Sequence, residues 1–353
     1  MMRLLIDYIE DSELKNISII GMAKNAGKTV TLNNIIKEAY TRDYKLAILS
    51  YGRDGEEVDA ITNQKKPRIY IPPKTVFITS TKAYAKSIIS AELLIESDIN
   101  TLMGKVNIYK TGENGAYCEL VGVNSVKQVD KIKELIPDYI DLFLIDGALD
   151  RKSSAMPEIS EGFILATGAI AGDNEEEVVN NTIDEIEKLS FDQINNMGLK
   201  HDIKIAYSAA SDGVIDYEDN LKLFSSDLSF NNIEEIKEIS TEKDIKAVIL
   251  NGALVDSFIE ELRPFNGLRN SKIIVKDGTK IFLNRQKLNI LKKYNIKIMV
   301  AKSLKLLGIT VNPVSPSGLK LNSDKIIDGL KVSIKGVPVL DLMDKKYKEL
   351  SFV

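Results

Sequence analysis

A chain of 353 residues, 44% of them hydrophobic, is long enough for two domains or one large α/β unit with a sizeable core. A net charge of −4 at 28% charged residues argues against a polyanion-binding surface, and nucleic acid is set aside on that ground. The single cysteine, Cys118, allows no internal disulfide and points to a reducing, cytoplasmic setting; the single histidine, His201, leaves no material for a zinc site or a Ser-His-Asp triad.

The apolar runs are short and interrupted, so no membrane span is expected. The opening MMRLLIDYIEDSELKN soon turns acidic and shows no small-residue cleavage site. From there β-branched runs alternate with helical patterns, which predicts an α/β fold: a mostly parallel sheet flanked by helices. Strands are expected at 17–20, 46–50, 75–80, 141–146 and 162–168. GKVNIYKTGENGAYCELVG reads as a hairpin of strands 105–110 and 117–122, because TGENGA supplies residues that accept positive φ. An acidic helix, DNEEEVVNNTIDEIEKL, follows from residue 173, with its carboxylates at the positive end of the helix dipole. It divides the chain into 1–172 and 173–353, the latter a second α/β half or a continuation of the same sheet. IKIAYSA, KAVILNG, SKIIVKDG, IKIMVA and GITVNP are its expected strands, with His201 just before the first as an ordinary surface residue.

The chemistry concentrates in IIGMAKNAGKTVTLNNII, residues 19–36. A strand runs into Gly21, and from Thr29 the apolar residues fall at helical spacing. Strand, glycine turn and helix N-terminus is the setting of the phosphate-binding motif G-x-x-x-x-G-K-[ST], here with five residues rather than four between its glycines. Backbone N–H groups at such a helix start bind anions. Gly21, Lys24, Asn25, Ala26, Gly27, Lys28, Thr29 and Val30 are the expected nucleotide contacts. Lys28 would reach the β- and γ-phosphates, Thr29 would bind Mg²⁺, and a Cβ at Gly27 would crowd the phosphate. The competing reading is a plain strand-turn-helix connection with a surface lysine. DLFLIDGALDRKS places Asp146 at a strand's carboxyl end, where open α/β sheets keep their ligand chemistry. Asp146 is the expected Mg²⁺ carboxylate, with helix capping as the alternative. Asp150 and Arg151 rank behind it. A second acidic cluster, Arg53, Asp54, Glu56, Glu57 and Asp59, follows the strand at 46–50; it is either a metal-facing loop or a solvated turn.

The five-residue spacing resembles the loop of dethiobiotin synthetase and the cobyrinic-acid amide synthetases. KNAGKT is similar to the loop of the molybdopterin-guanine-dinucleotide accessory proteins. All belong to the P-loop class that contains the Mrp and MinD ATPases. That resemblance implies a P-loop NTPase domain over 1–172, with Asp54 (Glu56 in reserve) touching Mg²⁺ or positioning water, and Asn312 in ITVNPVSPSG contacting the base; the other reading of that stretch is a simple Pro-stiffened loop. Lys24 becomes a candidate for the extra lysine near the loop's start, at an offset of four residues before Lys28 rather than five, with a plain exposed lysine as the alternative. Together KNAGKT, YGRDGEEVDAITNQKKPRIYIPP, IDGALDRKSSA, ILATGA and GITVNPVSPSG resemble the P-loop subunit of the lysine 5,6-aminomutase reactivase family. Membership implies a chaperone-like ATPase using ATP and Mg²⁺. It would work with a MutS-like ATPase subunit on an aminomutase client carrying adenosylcobalamin and pyridoxal phosphate, helping to exchange damaged cobalamin. The catalytic set would be Lys28, Asp54 and Asp146, and the metal set Thr29, Asp54 and Asp146. The cobalamin signature D-x-H-x-x-G is absent, so the cofactor is expected to stay on the client. The alternative is a dethiobiotin-synthetase-like ligase or kinase for a small carboxylate, with a cationic pocket from Lys24, Arg53 and Lys74.

Overall fold

The computed structural model describes residues 3–52, 68–147, 157–224 and 232–344. The chain divides into two compact units, 1–185 with 305–353, and 186–304. The first begins with α1 (Leu5–Ser12), β1 (Asn16–Gly21), α2 (Lys28–Thr41), β2 (Leu46–Tyr51), β3 (Ile69–Ile71), β4 (Val76–Ser80) and α3 (Thr81–Lys86). It continues through β5 (Ala91–Thr101), β6 (Gly104–Thr111), β7 (Ala116–Cys118), α4 (Val126–Leu135), β8 (Leu142–Gly147), β9 (Gly162–Gly168) and α5 (Glu175–Leu189). The second unit holds α6 (Met197–Ser208), β10 (Gly213–Asp216), β11 (Leu221–Leu223), α7 (Ile233–Glu242), β12 (Ile245–Ile249), β13 (Leu254–Val255) and α8 (Asp256–Glu261). It ends with β14 (Lys272–Val275), β15 (Ile281–Phe282), α9 (Arg285–Lys293) and β16 (Lys297–Val300). The chain then returns to the first unit with β17 (Lys305–Asn312), α10 (Ser323–Ser333) and β18 (Val339–Leu340).

The first unit is built on a nine-stranded sheet in the order β18-β17-β9-β1-β8-β2-β4-β6-β5. From β18 to β4 every pairing is parallel, and the two pairings at the other edge, β4–β6 and β6–β5, are antiparallel. The central strands β2, β4, β8 and β9 are buried at every position. Their near-continuous apolar sequences are what a parallel sheet covered on both faces requires. One face packs Ile17, Ile19, Ile48 and Leu144 beneath Leu32, Ile35 and Ile36 of α2. The other sets Leu49, Ile78, Phe143 and Ile145 against Val129 and Ile132 of α4. The second unit has its own five-stranded sheet, β11-β10-β12-β14-β16, parallel from β12 to β16 and antiparallel at β10 and β11.

Three expectations change. The hairpin drawn from 105–122 does not form: β6 pairs with β5, and β7 pairs with β3. β5 is an edge strand with mostly exposed or half-buried positions, so it lacks the apolar alternation that marks a strand. Gly104, at φ 91°, supplies the left-handed turn that TGENGA was expected to make. IKIAYSA is helical, not a strand. Leu199, Ile203 and Ala206 of α6 form its buried stripe at helical spacing, and His201 is exposed beside it. In place of the boundary expected at 173, the first unit ends at Glu185, inside α5, and residues from 305 onward rejoin the first sheet because β17 pairs along β9.

Cys118 is 1% exposed in the core under α2, and burial pushes its thiol up to about 11. A thiolate is the reactive form. We expect a disulfide reagent at pH 8 to leave native protein unmodified for hours and to label one thiol on denaturation; rapid native labelling would contradict this placement.

Candidate functional site

The site starts from connectivity. The crossover after β1 leads to β2 on one side of β1, past β8, whereas the chain after β9 reaches β17 on the other side. β1 and β9 are therefore neighbours whose connections diverge, and the crevice outside the carboxyl ends of such a pair is where open α/β sheets bind ligands. The loop 22–27 leaves β1 at that point and enters α2 directly.

Each loop contact has a local reason. Met22 N–H donates to Ala166 O of β9 at 2.9 Å, fixing the loop's start over the crevice. Asn25 and Gly27 take left-handed backbone at φ 65° and 104°, conformations that asparagine tolerates and glycine adopts freely. Gly21 is required for a different reason. A Cβ there would stand 2.9 Å from Lys28 Cγ and 3.2 Å from Cδ, so the lysine stem lies across the bare glycine backbone. α2 begins at Lys28, has no side-chain cap and carries no acid in its first turn. A cation thus occupies the positive end of a helix dipole, an unfavourable placement that a bound anion reverses. Thr31 ties this end down: its hydroxyl donates to Gly27 O at 3.1 Å and lies 2.7 Å from the Thr310 hydroxyl on β17.

Asn312, at the end of β17, donates through Nδ2 to Asn25 O at 3.3 Å. Its own carbonyl accepts from Ala169 N–H at 2.9 Å, and a Cβ on Gly168 would come within 1.8 Å of that oxygen. Asn312 braces the loop through this bond, and its Oδ1 accepts from Val314 N–H at 3.3 Å, which leaves one Nδ2 hydrogen for a further contact.

Asp146 is 2% exposed at the end of β8, in register with Ile19 of β1 and Ser50 of β2. It therefore lies one strand from β1, on the sheet face that α2 covers. Thr29 is half-buried in the first turn of that helix, and Lys24 is half-buried in the loop. The structure thus brings together Gly21, Lys24, Asn25, Ala26, Gly27, Lys28, Thr29, Val30, Asp146 and Asn312 at one edge of the sheet. Lys74 is not among them. It precedes β4, which runs parallel to β2, and so sits at the opposite, amino-terminal edge, paired with Glu113 at 3.2 Å. Arg53, Asp54, Glu56, Glu57, Asp59, Asp150 and Arg151 lie outside the described residues.

Among the described residues, no group of three or more His, Cys, Asp or Glu could enclose a metal ion. One buried carboxylate with nearby hydroxyls suits Mg²⁺, which keeps most of its water and takes the rest of its shell from phosphate oxygens. Ser50 fits the same chemistry: it is fully buried beside Asp146, and its hydroxyl has no hydrogen-bond partner among the described residues. Ser50, Gly168 and Thr310 were not singled out from the sequence. The available signal was a hydroxyl or glycine inside an otherwise apolar strand. No protein-family model, curated protein or solved structure matches this chain. No helix among the described residues is long and apolar enough to cross a membrane.

Proposed function

We propose that the chain is a Mg²⁺-dependent P-loop ATPase whose phosphate site is the loop from Gly21 to Val30. One observation carries this reading: Lys28, folded over Gly21, begins an uncapped helix at the sheet's topological switch point. In the bound state the N–H groups of Gly27 to Val30 would surround the phosphates, and Lys28 would offset their charge. Thr29 and Asp146 would hold the ion's water shell. Mg²⁺, when bound, neutralises charge on the transferred phosphoryl group. Asp146, buried beside Ser50, would act in a site where charged contacts count for more than in water.

The finer assignment rests on the resemblance to the aminomutase reactivase. In it, this chain is the P-loop subunit that works with a MutS-like ATPase to help an aminomutase exchange damaged cobalamin. Hydrolysis coupled to a protein client should be slow in the isolated chain and respond to partners, not to metabolites. The test mixes the full chain, the MutS-like subunit, ATP, Mg²⁺ and fresh adenosylcobalamin with a substrate-inactivated aminomutase. Recovered activity is expected, and none with Lys28→Ala protein. Rapid turnover of the chain alone with a small carboxylate, yielding a phosphorylated or ligated product, would favour the ligase instead. Lys74 at the far edge weakens that alternative, because it takes one of the three expected cations away from the loop.

A further inference from the structure

The strand β2 reads LAILSY, apolar apart from Ser50, and every residue is buried. A buried hydroxyl without a partner costs about 1–3 kcal/mol in lost hydration, so a serine here needs a reason. Its neighbours on the side away from Asp146 do not have this problem. Thr79 of β4, one residue past the Leu49–Ile78 pair, accepts from Val121 N–H at 3.1 Å. Asn107, paired with Thr79 across β6, accepts from Ser97 N–H at 3.2 Å. Along this polar row, Ser50 alone has a hydroxyl with no hydrogen bond among the described residues. It is also the row's member next to Asp146, in register on the adjacent parallel strand. Neighbouring strands lie about 4.8 Å apart, and register partners in parallel strands present their side chains to the same face. Alanine would fill this position without the penalty.

Resting on the nucleotide reading above, we infer that Ser50 is a positioning residue for the cation: its hydroxyl accepts a hydrogen bond from a metal-bound water that Asp146 also holds. The serine is unsatisfied without ligand and satisfied with it. Outer-shell partners of this kind typically tune metal affinity by about 10–100-fold. Function and stability then oppose each other at this position, which a structural serine would not show.

The test titrates Mg²⁺ into full-length wild-type, Ser50→Ala and Ser50→Thr proteins, each with a fixed non-hydrolysable ATP analogue, following analogue binding by calorimetry. Thermal melts without ligand accompany the titration. For Ser50→Ala we expect the Mg²⁺ concentration for half-maximal binding to rise about tenfold. Metal-free analogue affinity should be unchanged, and the unliganded melting temperature equal or higher. Ser50→Thr, which keeps the hydroxyl, should restore the wild-type Mg²⁺ response if its extra methyl is accommodated; the alanine variant decides the matter alone if it is not. A wild-type Mg²⁺ response in Ser50→Ala, or a lower melting temperature with that response intact, overturns the inference and leaves the nucleotide site standing. Failure of the wild-type protein to bind the analogue overturns both.

Discussion

Lys28→Ala should lose nucleotide affinity by roughly thirtyfold to several-thousandfold while the protein remains folded. The range follows from removing one charge from a desolvated ionic contact, which typically costs about 2–5 kcal/mol. Stability should move the other way or not at all. Lys28 is half-buried at the first position of α2, where the helix dipole disfavours a cation, and alanine is the better helix former. Calorimetric titration with the ATP analogue measures the first effect and thermal melting the second. A variant that binds as tightly as wild type would return the loop to its plain reading as a strand-turn-helix connection.

Asp146→Asn should separate binding from turnover. The amide keeps the shape of the carboxylate at the end of β8, so the packing around Ile19 and Ser50 should survive. What it loses is the charge that would hold the hydrated cation against the phosphates. Removing one preorganised electrostatic contact of this kind costs about 10²–10³ in rate. Single-turnover hydrolysis at saturating Mg²⁺ should therefore slow by that factor, with analogue affinity changed much less. Normal turnover would move the metal role to another acid, with Asp54 the first to replace next.

The parts of the fold that could be read in sequence are those where burial leaves a strong pattern. β2, β8 and β9 are covered on both faces, so LAILSY, LFLIDG and GFILATG show near-continuous apolar character. The phosphate loop was legible because glycine and lysine there answer to backbone geometry: Gly27 needs left-handed φ, and Gly21 must admit the Lys28 stem. What failed depends on contacts distant in sequence. β5 is an exposed edge strand that exists through its pairing with β6. In IKIAYSA, three alternating residues looked like a strand, while the stripe Leu199, Ile203 and Ala206 sets a helix. Nothing near residue 305 announces that β17 pairs with β9, because the intervening unit closes its own sheet first. Asn312 was found for its position after a late strand, yet its bond to Asn25 O links residues 287 apart and is set by that pairing.

The most direct measurement is titration of the unmodified full-length chain with a non-hydrolysable ATP analogue, with and without Mg²⁺. One saturable site per chain is expected, strengthened by Mg²⁺ and competed by ADP, with a matching rise in melting temperature as ligand stabilises the native state. No saturation at millimolar analogue with Mg²⁺ present, and no shift in melting temperature, would contradict a nucleotide site at Gly21–Val30.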